Sequence, residues 1–146
     1  KPNHPNIIGI KEAVDDSKRL AELLLISHKI SHQKNFSVLS GDDPTFNSFM
    51  ANGGNGVISV AANIIPQHIA KICSLNLSKQ FNEAEKLDLN FKNLYELLFV
   101  ESNPMPVKWM LHKMGKIDSG IRLPLVSFNS AYHEQSLEEM LKLKLI

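Results

Sequence analysis

The sequence is short of several things that would point to a function class. It has one cysteine and one tryptophan among 146 residues. The lone thiol, Cys73, leaves no internal disulfide to form. It sits in an apolar helical pattern and reads as a small buried hydrophobe. Charge of either sign is not in excess: 16 lysines and arginines stand against 15 aspartates and glutamates, a formal net charge of +1. That removes the basic footprint a nucleic-acid binder needs. Lys142 and Lys144 are separated by apolar residues and read as a solvated helix face rather than a nucleic-acid patch. No apolar run is long enough to cross a bilayer, and Lys1-Pro2-Asn3-His4-Pro5 leads into none of signal-peptide length. The expectation is a cytoplasmic protein with neither membrane nor nucleic-acid partners. Internal repeats and low-complexity tracts are absent as well. The chain does not start with methionine, and an apparent core strand begins by about Asn6. A parallel strand needs neighbours on both sides, so the expectation is a piece of something longer.

What is present is an ordinary globular composition, 43% hydrophobic and 21% charged, enough for one domain. Asn6-Ile7-Ile8-Gly9-Ile10 runs into Lys11 and reads as a buried parallel strand with a lysine at its C-terminal end. Asp15-Asp16-Ser17 offers N-caps, and Leu20, Leu23 and Leu24 recur at helical spacing to about Lys29. Phe36–Ser40 reads as a second strand. Asp43 as N-cap and Pro44 at the first helical position open a short helix through Phe46, Phe49 and Met50, which Asn52-Gly53-Gly54 stops. Val57–Val60 is a third strand, ended by Ala61-Ala62-Asn63. Pro66 opens the next helix, with Ile69, Ile72, Cys73 and Leu75 facing inward. Strand and helix alternate through short loops, the pattern of parallel βα units. Three strands are too few to close a barrel.

The character changes from about Ser78. A long helical pattern runs from Asn82 to about Phe99, with Ala84, Leu87, Phe91, Leu94, Tyr95 and Leu98 on one side. Asp88 and Lys92 are four apart and can pair. Ser102-Asn103-Pro104-Met105-Pro106 breaks the chain. Val107–Met114 is a shorter helix stopped by Gly115. Arg122-Leu123-Pro124-Leu125 is expected to be extended, and Ser130 to cap a last helix to about Leu143. The expected division is 1–77 for the βα part and 78–146 for a helical part.

Lys11 is the residue with most chemistry to offer. At the C-terminal end of a parallel strand it faces the ligand crevice of an α/β fold. Desolvated by an apolar wall, its amine can lose a proton and attack a carbonyl. The alternative is a surface lysine just past a core strand, its charge reaching water. Gly41 ends a strand in the same direction and lets backbone approach a ligand. Asp42 and Asp43 make a carboxylate unwelcome there unless they point away. Ser59, Ala61 and Asn63 end the third strand, where ligand contacts also gather. Gly53-Gly54-Asn55-Gly56 precedes a strand and reads as a helix stop and tight turn, not a phosphate loop. His28 and His32 share a helix face but have no matching carboxylate. His4, His68, His112 and His133 are scattered. Trp109, Met110 and Met114 read as core or subunit interface.

Ile7-Ile8-Gly9-Ile10-Lys11-Glu12-Ala13, Leu39-Ser40-Gly41-Asp42-Asp43, Gly56-Val57-Ile58-Ser59-Val60, Leu98–Lys108 and Arg122-Leu123-Pro124-Leu125, taken in this order, resemble the 4-hydroxy-tetrahydrodipicolinate (dihydrodipicolinate) synthase family. The resemblance covers essentially the whole chain. The first motif alone marks only the wider group of pyruvate-dependent class I aldolases and lyases. The asparagine-proline segment before Val107-Lys108 points to the synthase. The resemblance implies an α/β fold, the second half of a TIM (β/α)8 barrel. It would supply strands six to eight plus the C-terminal helical domain. It implies that Lys11 is the Schiff-base lysine, that Gly41 is the glycine after the seventh strand, and that Ile58 lines the pyruvate pocket with its backbone. The implied reaction joins pyruvate to L-aspartate 4-semialdehyde on the diaminopimelate route to lysine, with no metal or organic cofactor, in a homotetramer.

Val14-Asp15 and Ser102 depart from the family pattern, and the stretch between Ile26 and Phe36 is a few residues longer than usual for the family. The family's catalytic tyrosine, carboxylate-binding arginine, hydroxyl relay and threonine-containing loop belong to the other half. Tyr95, Tyr132, Arg19 and Arg122 match none of them. The chain alone is therefore expected to be an incomplete active site whose partner is the missing N-terminal half. Two rival readings are another class I pyruvate-dependent aldolase such as N-acetylneuraminate lyase, and a non-catalytic assembly fragment.

Overall fold

The structure is a computed structural model and describes residue 4 and residues 6–14, 16–30 and 36–146. Three parallel strands, β1 (Gly9–Glu12), β2 (Ser37–Ser40) and β3 (Gly56–Val57), lie side by side in that order. The register sets Lys11 beside Leu39 and Leu39 beside Gly56. Helix α1 (Ser17–Ile30) joins the first two strands and α2 (Phe46–Ala51) the second and third. Asp16 caps α1, its Oδ1 accepting from Lys18 N–H at 2.8 Å and Arg19 N–H at 3.3 Å. Asp15 and His32, the other cap and metal candidates of that region, lie outside the described residues.

Three expectations for this part change. First, β1 is half-buried, not buried, and begins at Gly9; Ile7 and Ile8 precede it and are exposed. It is an edge strand of a three-stranded sheet, so only one flank is covered. Second, ladder pairing of β3 stops at Val57, and the chain leaves the sheet through Ile58, whose N–H still donates to Ser40 O at 2.8 Å. Third, Asp43 does not cap α2. The N-cap is Thr45, which Asp42 holds in the preceding turn, its Oδ2 accepting from Thr45 N–H and Thr45 Oγ1–H at 3.2 and 2.6 Å. Asp43 reaches across to the chain after β3.

The helical remainder comprises α3 (Pro66–Leu77), α4 (Phe81–Asp88), α5 (Lys92–Leu98), α6 (Met105–Lys113) and α7 (His133–Lys142). The expected single helix over Asn82–Phe99 is two helices joined by a tight 3-10 turn at Leu89–Phe91. Asn90 donates its side-chain amide back to the carbonyls of Lys86 and Leu87, and Phe91 turns into the core. The tightening brings Asp88, Lys92 and Tyr95 together. Asp88, almost fully buried, pairs with Lys92 Nζ at 2.9 Å and accepts the Tyr95 hydroxyl at 3.0 Å. Burial first, then the Asp88 carboxylate, pushes the Tyr95 phenol above its ordinary range. Lys92 Nζ also donates to Pro44 O at 2.9 Å, tying the helices to the chain after β2.

Removing that carboxylate leaves a buried phenol without a partner. Asp88→Ala is expected to cost about 2–4 kcal/mol of stability, read as a lower urea midpoint with an unchanged slope.

Two more boundaries differ. Arg122–Leu125 is a turn, Leu125 N–H donating to Arg122 O at 3.1 Å across a cis Leu123–Pro124 bond. Ser130 does not cap the last helix: it opens a 3-10 turn, Ser130–Tyr132, that Asn129 caps by accepting from Ala131 N–H, and α7 follows with Tyr132 as its N-cap. One apolar cluster runs from Phe46 through Ile72, Leu94 and Tyr95 to Met140, drawing on both sides of residue 77. A second, smaller one lies under α1: Leu20, Leu23, Val38 and Phe49. Among the described residues no helix is long and apolar enough to cross a membrane.

Candidate active site

β1 ends at Glu12, so Lys11 stands at the C-terminal edge of the sheet. Alternation along the strand sends Lys11 and Glu12 to opposite sides. Glu12 is tied down there: Arg19 Nε meets its carboxylate at 3.1 Å, and the Ala13 and Val14 amides donate to it at 3.0 and 3.1 Å. The Arg19 guanidinium, followed by the Val14 amide, holds that carboxyl below its ordinary value. The acid next in sequence to Lys11 is thereby held by Arg19 and the turn.

The stem of Lys11 lies across Gly41. A Cβ on Gly41 would fall 2.4 Å from Lys11 Cε, 2.9 Å from Ala13 Cβ and 3.2 Å from Lys11 Cγ. Gly41 is not one of the positive-φ glycines, which are Gly53 and Gly115. It is glycine for space, because the lysine chain occupies the place of a side chain.

Beyond Gly41, Lys11 opens on a cleft of about 360 Å³ that Ile58, Ser59, Val60, Asn63, Asn103, Pro104, Val107, Lys108 and Leu111 also line. The structure therefore brings all three sequence candidates together: Gly41 seats Lys11, and Ile58 faces the same cleft. Ile58 is about half exposed, 52%, and its backbone N–H is spent on Ser40. Lys11 itself is exposed in this chain rather than walled in by apolar neighbours. The open flank of β1 accounts for that.

Among the described residues no aspartate or glutamate lines the cleft. Asp42 and Asp43 both point elsewhere, to Thr45 and to the Val60 and Ala61 amides. Lys11 and Lys108 bring positive charge to the cleft's otherwise largely apolar walls, a combination that suits a small anionic ligand. Sequence reasoning missed Asn103 and Lys108 as cleft residues. Their segment was visible as a proline-punctuated break, but nothing in a break says which way it folds back. No group of three or more metal-ligating side chains exists among the described residues.

The family model of the dihydrodipicolinate synthetase family matches residues 2–144. The chain belongs to that family. It is 44% identical over 136 residues to the 4-hydroxy-tetrahydrodipicolinate synthase of Teredinibacter turnerae, covering 93% of this chain and 45% of that protein. With the Cellvibrio japonicus synthase it shares 44% identity over 131 residues, 90% of this chain and 43% of the relative. The chain thus spans less than half the length of these curated relatives. Among solved structures, the chloride-inhibited dihydrodipicolinate synthase of Acinetobacter baumannii, complexed with pyruvate, superimposes with a TM-score of 0.89 at 40% identity. That match covers 97% of this chain and 47% of the other. The Thermotoga maritima dihydrodipicolinate synthase gives 0.90 at 31% identity, again with 97% and 47% covered. This dihydrodipicolinate synthetase family member is accordingly an α/β chain with the fold of the C-terminal half of a TIM-barrel synthase.

Proposed function

We propose that this chain carries the Schiff-base half of a 4-hydroxy-tetrahydrodipicolinate synthase, with Lys11 as the nucleophile. The observation that carries the reading is the seating of the Lys11 stem on Gly41, with its amine opening on the cleft that Ile58 lines. A neutral Lys11 amine attacks the keto carbon of pyruvate, water leaves, and an iminium forms. The iminium accepts the electron pair released when the methyl group loses a proton, giving an enamine. The enamine carbon attacks the aldehyde of L-aspartate 4-semialdehyde. The amine of that substrate then attacks the former keto carbon, closes the ring and releases Lys11. The lysine supplies covalent catalysis, with no metal or organic cofactor in the sequence of steps.

Gly41 serves as the seat that sets where the amine points, and Ile58 as the wall that pyruvate meets. The division at residues 77 and 78 separates barrel units from C-terminal helices. The complete protein works in the cytoplasm, in diaminopimelate and lysine biosynthesis, as a homotetramer. In it the N-terminal half supplies the proton-transfer and carboxylate-binding groups.

The test is condensation by the protein completed with its first half. It is expected to consume pyruvate with aspartate semialdehyde, to reject N-acetylneuraminate and sugar-acid aldehydes, and to lose turnover in Lys11→Ala. Preference for a sugar acid over aspartate semialdehyde would overturn the assignment.

A further inference from the structure

Ladder pairing between β2 and β3 ends at Ser40 and Val57. The cleft wall at Ile58, Ser59 and Val60 lies beyond it, where the sheet no longer fixes the chain. A side chain takes over. Asp43 is 1% exposed, and its Oδ2 accepts from Val60 N–H and Ala61 N–H, both at 2.9 Å. Those amides open the 3-10 turn Ala61–Asn63 and have no carbonyl of their own turn to meet. The other oxygen, Oδ1, is buried without a hydrogen bond. Ser59 Oγ accepts from Ala62 N–H at 2.8 Å, and its hydroxyl hydrogen is left to face the Asp43 carboxyl. A carboxyl kept in the interior for two backbone amides calls for an explanation. Its place in the chain supplies one. Asp43 follows Gly41 by two residues, and Gly41 seats Lys11.

We propose that Asp43 is a positioning residue that clamps the chain after β3 to the chain after β2, and so holds the Ile58–Val60 wall at a fixed distance from the Lys11 seat. This rests on the reading of Lys11 as nucleophile. Burial raises the Asp43 carboxyl above its ordinary value, with Ser59 and the two amides working against that rise. Asparagine is a close stand-in by shape: it keeps one acceptor oxygen for the two amides.

The experiment compares Asp43→Ala and Asp43→Asn in the full chain. It reads backbone amide exchange together with borohydride trapping of pyruvate at increasing pyruvate concentration. In Asp43→Ala, the Val60 and Ala61 amides should exchange about tenfold faster or more, while Leu94 and Leu97 in α5 keep their protection. The trapping rate at saturating pyruvate should fall about tenfold, with the half-saturating concentration changed by less than about threefold. Asp43→Asn should stay within about threefold of the parent on every count.

Unchanged Val60 and Ala61 exchange with unchanged trapping in Asp43→Ala overturns the proposal. So does a loss of protection throughout the chain that Asp43→Asn shares, because that is a general structural role. If Asp43→Ala does not fold, Asp43→Ser replaces it, too short to reach both amides. If the parent chain traps no pyruvate, the reading of Lys11 fails on its own. The clamp is then decided by the amide exchange and by the Ile58 methyl resonance, which must move in the alanine variant and hold in the asparagine one.

Discussion

Gly41→Ala is expected to slow covalent capture of pyruvate by about 100-fold, since displacing a reacting group by an ångström costs on that order. The added methyl would sit 2.4 Å from Lys11 Cε, well inside contact distance. Something must move. The backbone of β2 is held on both flanks by parallel pairing, with Gly41 N–H donating to Glu12 O at 2.7 Å. The lysine stem is the softer partner, with several rotatable bonds and an exposed end. It therefore swings away and carries the amine with it. Ala13 Cβ, at 2.9 Å from the new methyl, has less freedom and shifts with its loop. The stability cost stays within the overpacking range, about 1–3 kcal/mol. Capture kinetics measured beside thermal unfolding would separate the two effects. A variant that keeps the parent's capture rate would show that Gly41 does not set the amine's position.

The second large effect concerns completeness. The chain alone is expected to show no measurable condensation, and addition of a separately produced first half to raise the rate by at least about 100-fold, the usual yield of positioned acid–base groups. Among the described residues the cleft around Lys11 contains no tyrosine, arginine or carboxylate to move protons or hold a second substrate. The surfaces that would receive the other half are open: Ile7, Ile8 and Ile58 are exposed, and among the described residues β1 and β3 each have one unpaired edge. Closing those edges would also shield Lys11, whose exposure otherwise leaves its amine solvated. Turnover by the chain alone at the rate of the combined halves would remove the need for a partner.

How far the sequence could be read varied with the kind of interaction involved. Alternating apolar segments and turn residues announced three βα units, because strand and helix periods are local properties. The ends of the elements were harder. Asp42 and Asp43 are both good caps by residue type, and only the fold decides that Asp42 takes Thr45 while Asp43 crosses to Val60 and Ala61. Asn129, not Ser130, offers a capping side chain there for a similar reason, reaching the Ala131 amide at the start of the 3-10 turn before α7. The break in the long helix at Leu89–Phe91 was hidden because the apolar stripe continues through it. The i, i+4 spacing of Asp88 and Lys92 was visible, but the Tyr95 hydroxyl that completes the group was not, since it depends on the tightened turn.

Family resemblance singled out Lys11, Gly41 and Ile58, and the structure sets Gly41 against Lys11 and places Lys11 and Ile58 on one cleft. Lys108 and Asn103 were not, because they reach the cleft from a helix start about 90 residues downstream of Lys11. Tertiary folding alone brings them there.

The most direct measurement is borohydride reduction of the chain in the presence of pyruvate, followed by digestion and mass mapping of the modified residue. The account predicts one reduced adduct, on Lys11, absent from Lys11→Ala. An adduct spread over exposed lysines such as Lys18 and Lys71, or one that persists in Lys11→Ala, would contradict it.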